Sequence, residues 1–145
     1  MYSIRETQDF YPLSLLYQES GLEVTPGHTP PQGTLSMLRC EDSETGAAAT
    51  LQHRAGHFVL AHLAVVSHLQ GGGLGSQLLA SAEHHAKQLG ARELWLVGKV
   101  PGFYARYQWH TVPREMAPPI SRCLTCSQFQ VDCFPSIMKK ELSFD

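Results

Sequence analysis

A glycine-rich turn set between a buried strand and an amphipathic helix constrains this chain more than any other feature. Phe58 to Val66 is a nearly unbroken apolar run. It is too short for a buried helix and suits a strand covered on both faces. Gln70-Gly71-Gly72-Gly73-Leu74-Gly75 follows directly. Leu74, Leu78, Leu79, Ala82, Ala86 and Leu89 then recur at helical spacing, while Ser76, Gln77, Ser81, His84 and Lys87 fall largely on the other side. Gly90 ends that helix, and Glu93 to Val97 reads as another short apolar strand. Strand, glycine turn, helix and strand make a βαβ-like unit.

Such a turn is suited to an anion. Glycines let backbone N–H groups converge and let a ligand come close. The helix start adds free donors and a partial positive charge, so a pyrophosphate is a natural guest. Taken alone, the same residues also fit a plain tight turn. Context narrows the ligand. No Gly-Lys-Ser/Thr follows, so the turn is not a Walker A loop. A dinucleotide site would want an acidic residue after the next strand, and Lys99 stands there instead.

The flanking sequence reads as follows. Tyr2 to Arg5 suits a first strand. Asp9 offers an N-cap for a helix over about Phe10 to Ser20, with Gly21 as its stop. Pro26 to Gly33 is a loop by composition. Leu35 to Arg39 and Ala47 to His53 form a candidate hairpin around a turn at Asp42 to Gly46. Pro101 can open a helix over Gly102 to Tyr107. His110 to Met116 suits a strand, 117 to 135 reads as irregular, and Ile137 to Leu142 suits a closing strand.

Length and charge bound the function. The 145 residues fit one domain, 1–145, with a core that needs no staples. A net charge of −2 argues against a nucleic-acid binder that neutralises phosphates. No apolar run is long enough for a membrane span, so no membrane partner is expected. The first residues lack a basic-then-apolar signal, so a cytoplasmic location with reduced cysteines is expected.

Three segments together resemble one family. Gln70-Gly71-Gly72-Gly73-Leu74-Gly75 matches the Gln/Arg-x-x-Gly-x-Gly/Ala signature of the GNAT superfamily of N-acetyltransferases. Leu63-Ala64-Val65 looks like the end of that family's fourth strand. Gly102-Phe103-Tyr104-Ala105-Arg106-Tyr107-Gln108-Trp109 resembles its later aromatic segment. The three come in the family's order and spacing. The resemblance implies an α+β fold: a mixed, mostly antiparallel sheet of six to seven strands, flanked by helices and splayed at the fourth strand. It implies transfer of an acetyl group from acetyl-CoA, as co-substrate, to a small-molecule or peptide amine. A homodimer is the default assembly.

The resemblance also implies roles. The backbone of Leu63, Ala64 and Val65 would pair with the pantetheine arm. The amides of Gly71, Gly72, Gly73, Leu74, Gly75 and Ser76 would hold the pyrophosphate. Gln70 stands where many members carry arginine; it can hydrogen-bond but brings no charge. Tyr104 matches the tyrosine that protonates the departing thiolate, a step a phenol of pKa about 10 can perform; it could equally be a packed aromatic. His62 is the candidate base, or else a structural histidine. Simple alternation groups it with Leu60 and Ala64 and puts Val59 and Ala61 on the other face. Val59 and Ala61 stand where other members carry bases. Glu23 and His28 lie in a loop that borders the family's acceptor site. An enzyme without a dedicated base, taking a neutral amine from water, is a further reading.

Cys123-x-x-Cys126 with Cys133 stands apart from this pattern. Three thiols could join a fourth ligand, such as Cys40 or His110, around zinc, or could simply be reduced cysteines in a loop. No metal site is expected. Two alternatives to an N-acetyltransferase stay open at this point. One is a non-catalytic acyl-CoA-binding module. The other is a metal or thiol protein centred on the cysteines.

Overall fold

A computed structural model describes residues 4–142, apart from 23, 41–45, 67–69, 71–72, 99–100, 119 and 121–135. The described elements run β1 (Ile4–Glu6), α1 (Tyr11–Glu19), β2 (Thr34–Cys40), β3 (Ala47–Arg54), β4 (His57–Val65), α2 (Leu74–Gln88), β5 (Glu93–Gly98), α3 (Pro101–Ala105), β6 (His110–Thr111), a 3-10 turn at Arg114–Met116, and β7 (Ser136–Glu141). Seven strands form one sheet in the order β1-β2-β3-β4-β5-β7-β6. Every neighbouring pair is antiparallel except β4 and β5. This is the mixed, mostly antiparallel sheet expected.

Helices cover both faces. On one side, Phe10, Leu13, Leu16 and Tyr17 of and beside α1 pack on Met37, Ala48 and Ala64. On the other, Leu74, Leu78, Leu79, Ala82 and Ala86 of α2 pack on Leu38, Ala49, Leu51, Leu60, Leu94, Leu96 and Met138. The α2 stripe follows its periodicity from Leu74 to Ala86, but Leu89, expected on the same face, lies past the helix end and is exposed. Each fully buried leucine on it contributes about 1.5–3 kcal/mol.

Several boundaries move. The first helix starts at Tyr11 with Phe10 as its N-cap residue. Asp9 still serves the helix end, because its Oδ1 accepts the Tyr11 N–H at 3.1 Å. The strand expected over His110 to Met116 stops at Thr111. Pro113 lacks the N–H that a ladder needs, and the chain turns into the 3-10 segment after it. The expected hairpin is present as β2 and β3, while most of its turn lies outside the described residues.

Strand β4 departs from expectation in two ways that matter for function. It is not buried on both faces: Val59, Leu60 and Ala64 are buried, while Ala61, His62, Leu63 and Val65 are only half-buried. It also carries a bulge. Thr50 faces His62 but Leu51 faces Leu60, so Ala61 is an extra residue opposite no partner in β3. The bulge resets alternation. Leu60 packs toward α2, whereas His62 stacks on Tyr17 of α1 and Ala64 packs in the α1 cluster. The grouping of His62 with Leu60 is therefore overturned, since a one-residue insertion shifts every later side chain to the other face.

Candidate active site

The sheet opens between β4 and β5. The two strands run parallel, and the register joins them at Val59↔Trp95. β4 meanwhile pairs with β3 along its whole length, from Arg54↔His57 to Ala47↔Val65. Beyond Val59, the edge of β4 that faces β5 has no ladder partner among the described residues. Leu63, Ala64 and Val65 lie on this edge, where an extended ligand arm can add as a strand does. Gln70 folds back to the same place, its Nε2 donating to the Val65 carbonyl at 2.8 Å.

The start of α2 lies just past that opening. Gly73 is the N-cap residue and has φ +83, a left-handed conformation that favours glycine. No side chain caps the helix, and its first turn carries no acidic residue. The first-turn N–H groups of Leu74, Gly75 and Ser76 have no intrahelical acceptor in such a position. Ser76 Oγ donates to the Gly73 carbonyl at 2.9 Å, which steadies the turn. Gly71 and Gly72, expected to contribute amides, lie outside the described residues. These features fit an anionic phosphate group on the α2 end and its flexible arm along β4.

Helix α3 closes the mouth of this opening. Phe103 reaches the α2 start: a Cβ on Gly75 would sit 3.5 Å from Phe103 Cζ and 3.8 Å from Val65 Cγ2. Tyr104 reaches the end of β5: a Cβ on Gly98 would lie 3.4 Å from Tyr104 Cε2. The Phe103–Tyr104 pair thus spans the end of β4, the start of α2 and the end of β5. The two rings meet edge-on at 5.1 Å. Tyr104 is buried, and that burial pushes its phenol up to about 12. Its ring is also packed in the α2-side core, as the aromatic reading expects.

His62 occupies the α1 face of β4. Its ring stacks on Tyr17 at 4.6 Å, with planes 28° apart. Tyr17 is itself fixed by a 2.8 Å hydrogen bond with Thr50 Oγ1. Burial first, and the positive charge of Arg54 second, hold His62 at about 4. Its Nδ1 is buried without a hydrogen-bond partner among the described residues. Gln52 Nε2, on the neighbouring strand, shares that condition, while Gln52 Oε1 accepts from Arg54 Nε at 2.7 Å. His62 is therefore a neutral imidazole at physiological pH.

The remaining candidates divide. His28 is exposed, stacked on Tyr11 at 4.6 Å and 3.7 Å from Asp9. Glu23 lies outside the described residues, as do Lys99, Cys123, Cys126 and Cys133. Cys40 is a buried free thiol inside the α2-side core. No group of three or more metal-ligating side chains occurs among the described residues. No described helix is long and apolar enough to cross a membrane.

Two residues that shape the site were not evident from sequence. Gly98 gives Tyr104 its close seat on β5, and only a close approach in space reveals that. Glu83 holds both Trp109 and Lys140. Its spacing from Leu79 and Ala86, one turn either way, is the signal that could have set it apart from a solvated helix residue.

Comparison with known proteins agrees with this geometry. The model of the acetyltransferase (GNAT) family matches residues 5–107. No curated protein matches the chain by sequence. The ribosomal-protein-S18-alanine N-acetyltransferase of Escherichia coli has a TM-score of 0.68 at 17% identity, over 100% of this chain and 96% of that one. N-acetylglutamate synthase of Neisseria gonorrhoeae, solved with coenzyme A and N-acetyl-glutamate, has a TM-score of 0.73 at 21% identity. That match covers 99% of this chain and 35% of the synthase. A GNAT family N-acetyltransferase of Escherichia coli, solved with CoA, has a TM-score of 0.64 at 13% identity, over 98% of this chain and 82% of that one. At these identities the structures show likeness of fold, and the family match carries the assignment. The chain belongs to the acetyltransferase (GNAT) family, and with it to the acyl-CoA-dependent N-acetyltransferases.

Proposed function

We propose that the protein transfers the acetyl group of acetyl-CoA to an amine by direct attack within a ternary complex. The observation that carries this reading is the placement of Tyr104. It lies at the end of β5, on the side where β4 and β5 part, and its neighbour Phe103 reaches the start of α2 that Gly73 caps. The backbone of Leu63, Ala64 and Val65 would align the pantetheine arm. The amides of Gly71, Gly72, Gly73, Leu74, Gly75 and Ser76, with Gln70 beside them, would hold the pyrophosphate.

Proximity supplies much of the acceleration in such a complex, and no covalent enzyme intermediate is needed. Tyr104 gives its phenolic proton to the departing thiolate. A phenol held near 12 stays protonated throughout the physiological range, so the donor is always loaded. The burial that raises it also raises the proton affinity of a thiolate released beside it, which keeps the two matched.

His62 enters this reading as a neutral group on the acceptor side. An imidazole held at about 4 is a weak base toward an amine. Its Nδ1 is sealed inside the protein, so the amine arrives neutral and loses its proton to water rather than to His62. The acceptor is an amine of a small molecule or peptide.

The test is an amine screen for thiol release from acetyl-CoA, with Tyr104→Phe beside the wild type. The reading expects turnover with at least one class of amine and a large loss in the variant. Equal turnover of both proteins would remove the proposed acid.

A further inference from the structure

We infer that Glu83 is a positioning residue for Tyr104, acting through Trp109; this rests on the proposed role of Tyr104 as acid. Glu83 sits on α2 and ties down two other parts of the chain. Its Oε2 accepts the Trp109 indole N–H at 3.3 Å, and its Oε1 accepts Lys140 Nζ of β7 at 2.6 Å. The Glu83 and Lys140 side chains are only 14% and 18% exposed. An ion pair so far out of water loses much of its attraction to desolvation, so net stability is a poor account of it. Fixed geometry is a better one. Three elements meet at this carboxylate: the helix that starts at the glycine turn, the segment after α3, and the strand paired to β5.

Trp109 passes that constraint to Tyr104. The rings meet at 5.8 Å and 62°. The Tyr104 carbonyl also accepts the backbone N–H groups of Tyr107 at 2.9 Å and Trp109 at 3.3 Å. Between them Gln108 holds φ +72, a left-handed conformation uncommon for its type. The loop from Tyr104 to Trp109 is thus closed on itself, and the indole cannot shift without moving the phenol. Tyr104 also meets Phe103 and the small surface of Gly98. Those contacts are non-directional. The Glu83–Trp109 hydrogen bond is the directional one, and it sets the ring where a proton must be delivered. Because Glu83 is on α2, the same helix that would hold the pyrophosphate also places the acid.

The experiment compares Glu83→Gln, Trp109→Phe and the double variant with wild type. Trp109→Phe keeps an aromatic ring against Tyr104 and removes the tethered N–H together with part of the indole, so it serves if Glu83→Gln folds poorly. Each single variant is expected to lower kcat roughly 10- to 100-fold, the scale of a small misplacement of a reacting group. KM and Kd for acetyl-CoA should stay within about twofold. The double variant should lose no more than the worse single, because both break one path. In protein labelled at tyrosine, Glu83→Gln should move the Tyr104 ring resonances and leave those of Tyr11 in place. Unchanged kcat, or unmoved Tyr104 resonances, would overturn the inference. So would a loss of acetyl-CoA affinity that matches the loss of kcat. If the wild type turns over no amine at all, the proposed function fails instead, and the resonances alone decide whether Glu83 places Tyr104.

Discussion

The imidazole of His62 stacks on the phenol ring of Tyr17, 4.6 Å away, and joins β4 to α1 on one face of the sheet. Tyr17 donates to or accepts from Thr50 on β3, and its own phenol is pushed up by burial. The stack exists because the extra residue at Ala61 turns His62 away from α2. A histidine so placed resists protonation.

That resistance predicts a pH dependence of stability. His62 is held at about 4 when folded, against an ordinary value of 6.5. Between those values the unfolded chain binds a proton that the folded one refuses, so stability falls as pH drops from 6.5 toward 4. From pH 7 to pH 5 this histidine should cost on the order of 1 kcal/mol, discounted for its partial exposure. Thermal melts of wild type and His62→Gln at the two pH values test it. The variant should show a shallower fall; parallel slopes would mean the imidazole is not held neutral.

Turnover should not depend on His62 titration. If the amine arrives neutral, kcat/KM rises with the free-amine fraction and shows no limb near pH 6.5. His62→Gln should keep turnover within about tenfold of wild type, since the imidazole takes no proton from the amine. A loss of roughly 10³-fold would restore the histidine as the base.

Tyr104→Phe should lower kcat by roughly 10²-fold or more, the usual worth of general acid catalysis, with little change in acetyl-CoA affinity. The phenol of the wild type is held near 12, so no basic limb from it should appear below about pH 10. A limb in kcat near pH 8 that vanishes in Tyr104→Phe would contradict this.

The α2 stripe sets stability. Leu78 is fully buried among Leu38, Leu60 and Leu96 in the same core cluster. Leu78→Ala should destabilise the protein by about 2–5 kcal/mol in urea titration. Ala80→Ser, on the exposed side of the same helix, should stay within about 0.5 kcal/mol. Equal effects would mean the stripe does not pack as described.

The central unit was legible in sequence because its signals are local. Apolar spacing from Leu74 to Ala86 fixed one face of α2, and three glycines beside Gln70 marked the turn. A mixed sheet of six to seven strands and the opening at its fourth strand followed from the family's three segments in their order, whereas the strand order came only with the structure. What sequence hid is a matter of single residues and distant meetings. A bulge at Ala61 leaves no mark in composition, yet it reverses the face of His62. Pro113 cut a strand that apolar content alone extended. Glu83, Trp109 and Lys140 are far apart in the chain, and only the folded protein brings them to one carboxylate.

The most direct test of the account is a calorimetric titration of acetyl-CoA into the wild type and Gly73→Glu. Gly73 has φ +83 at the uncapped start of α2, so glutamate there combines backbone strain with a negative charge at the expected phosphate. Saturable binding by the wild type, lost in the folded variant, is the predicted result. No binding by folded wild type, or equal binding by both proteins, would contradict a pyrophosphate held at the glycine turn.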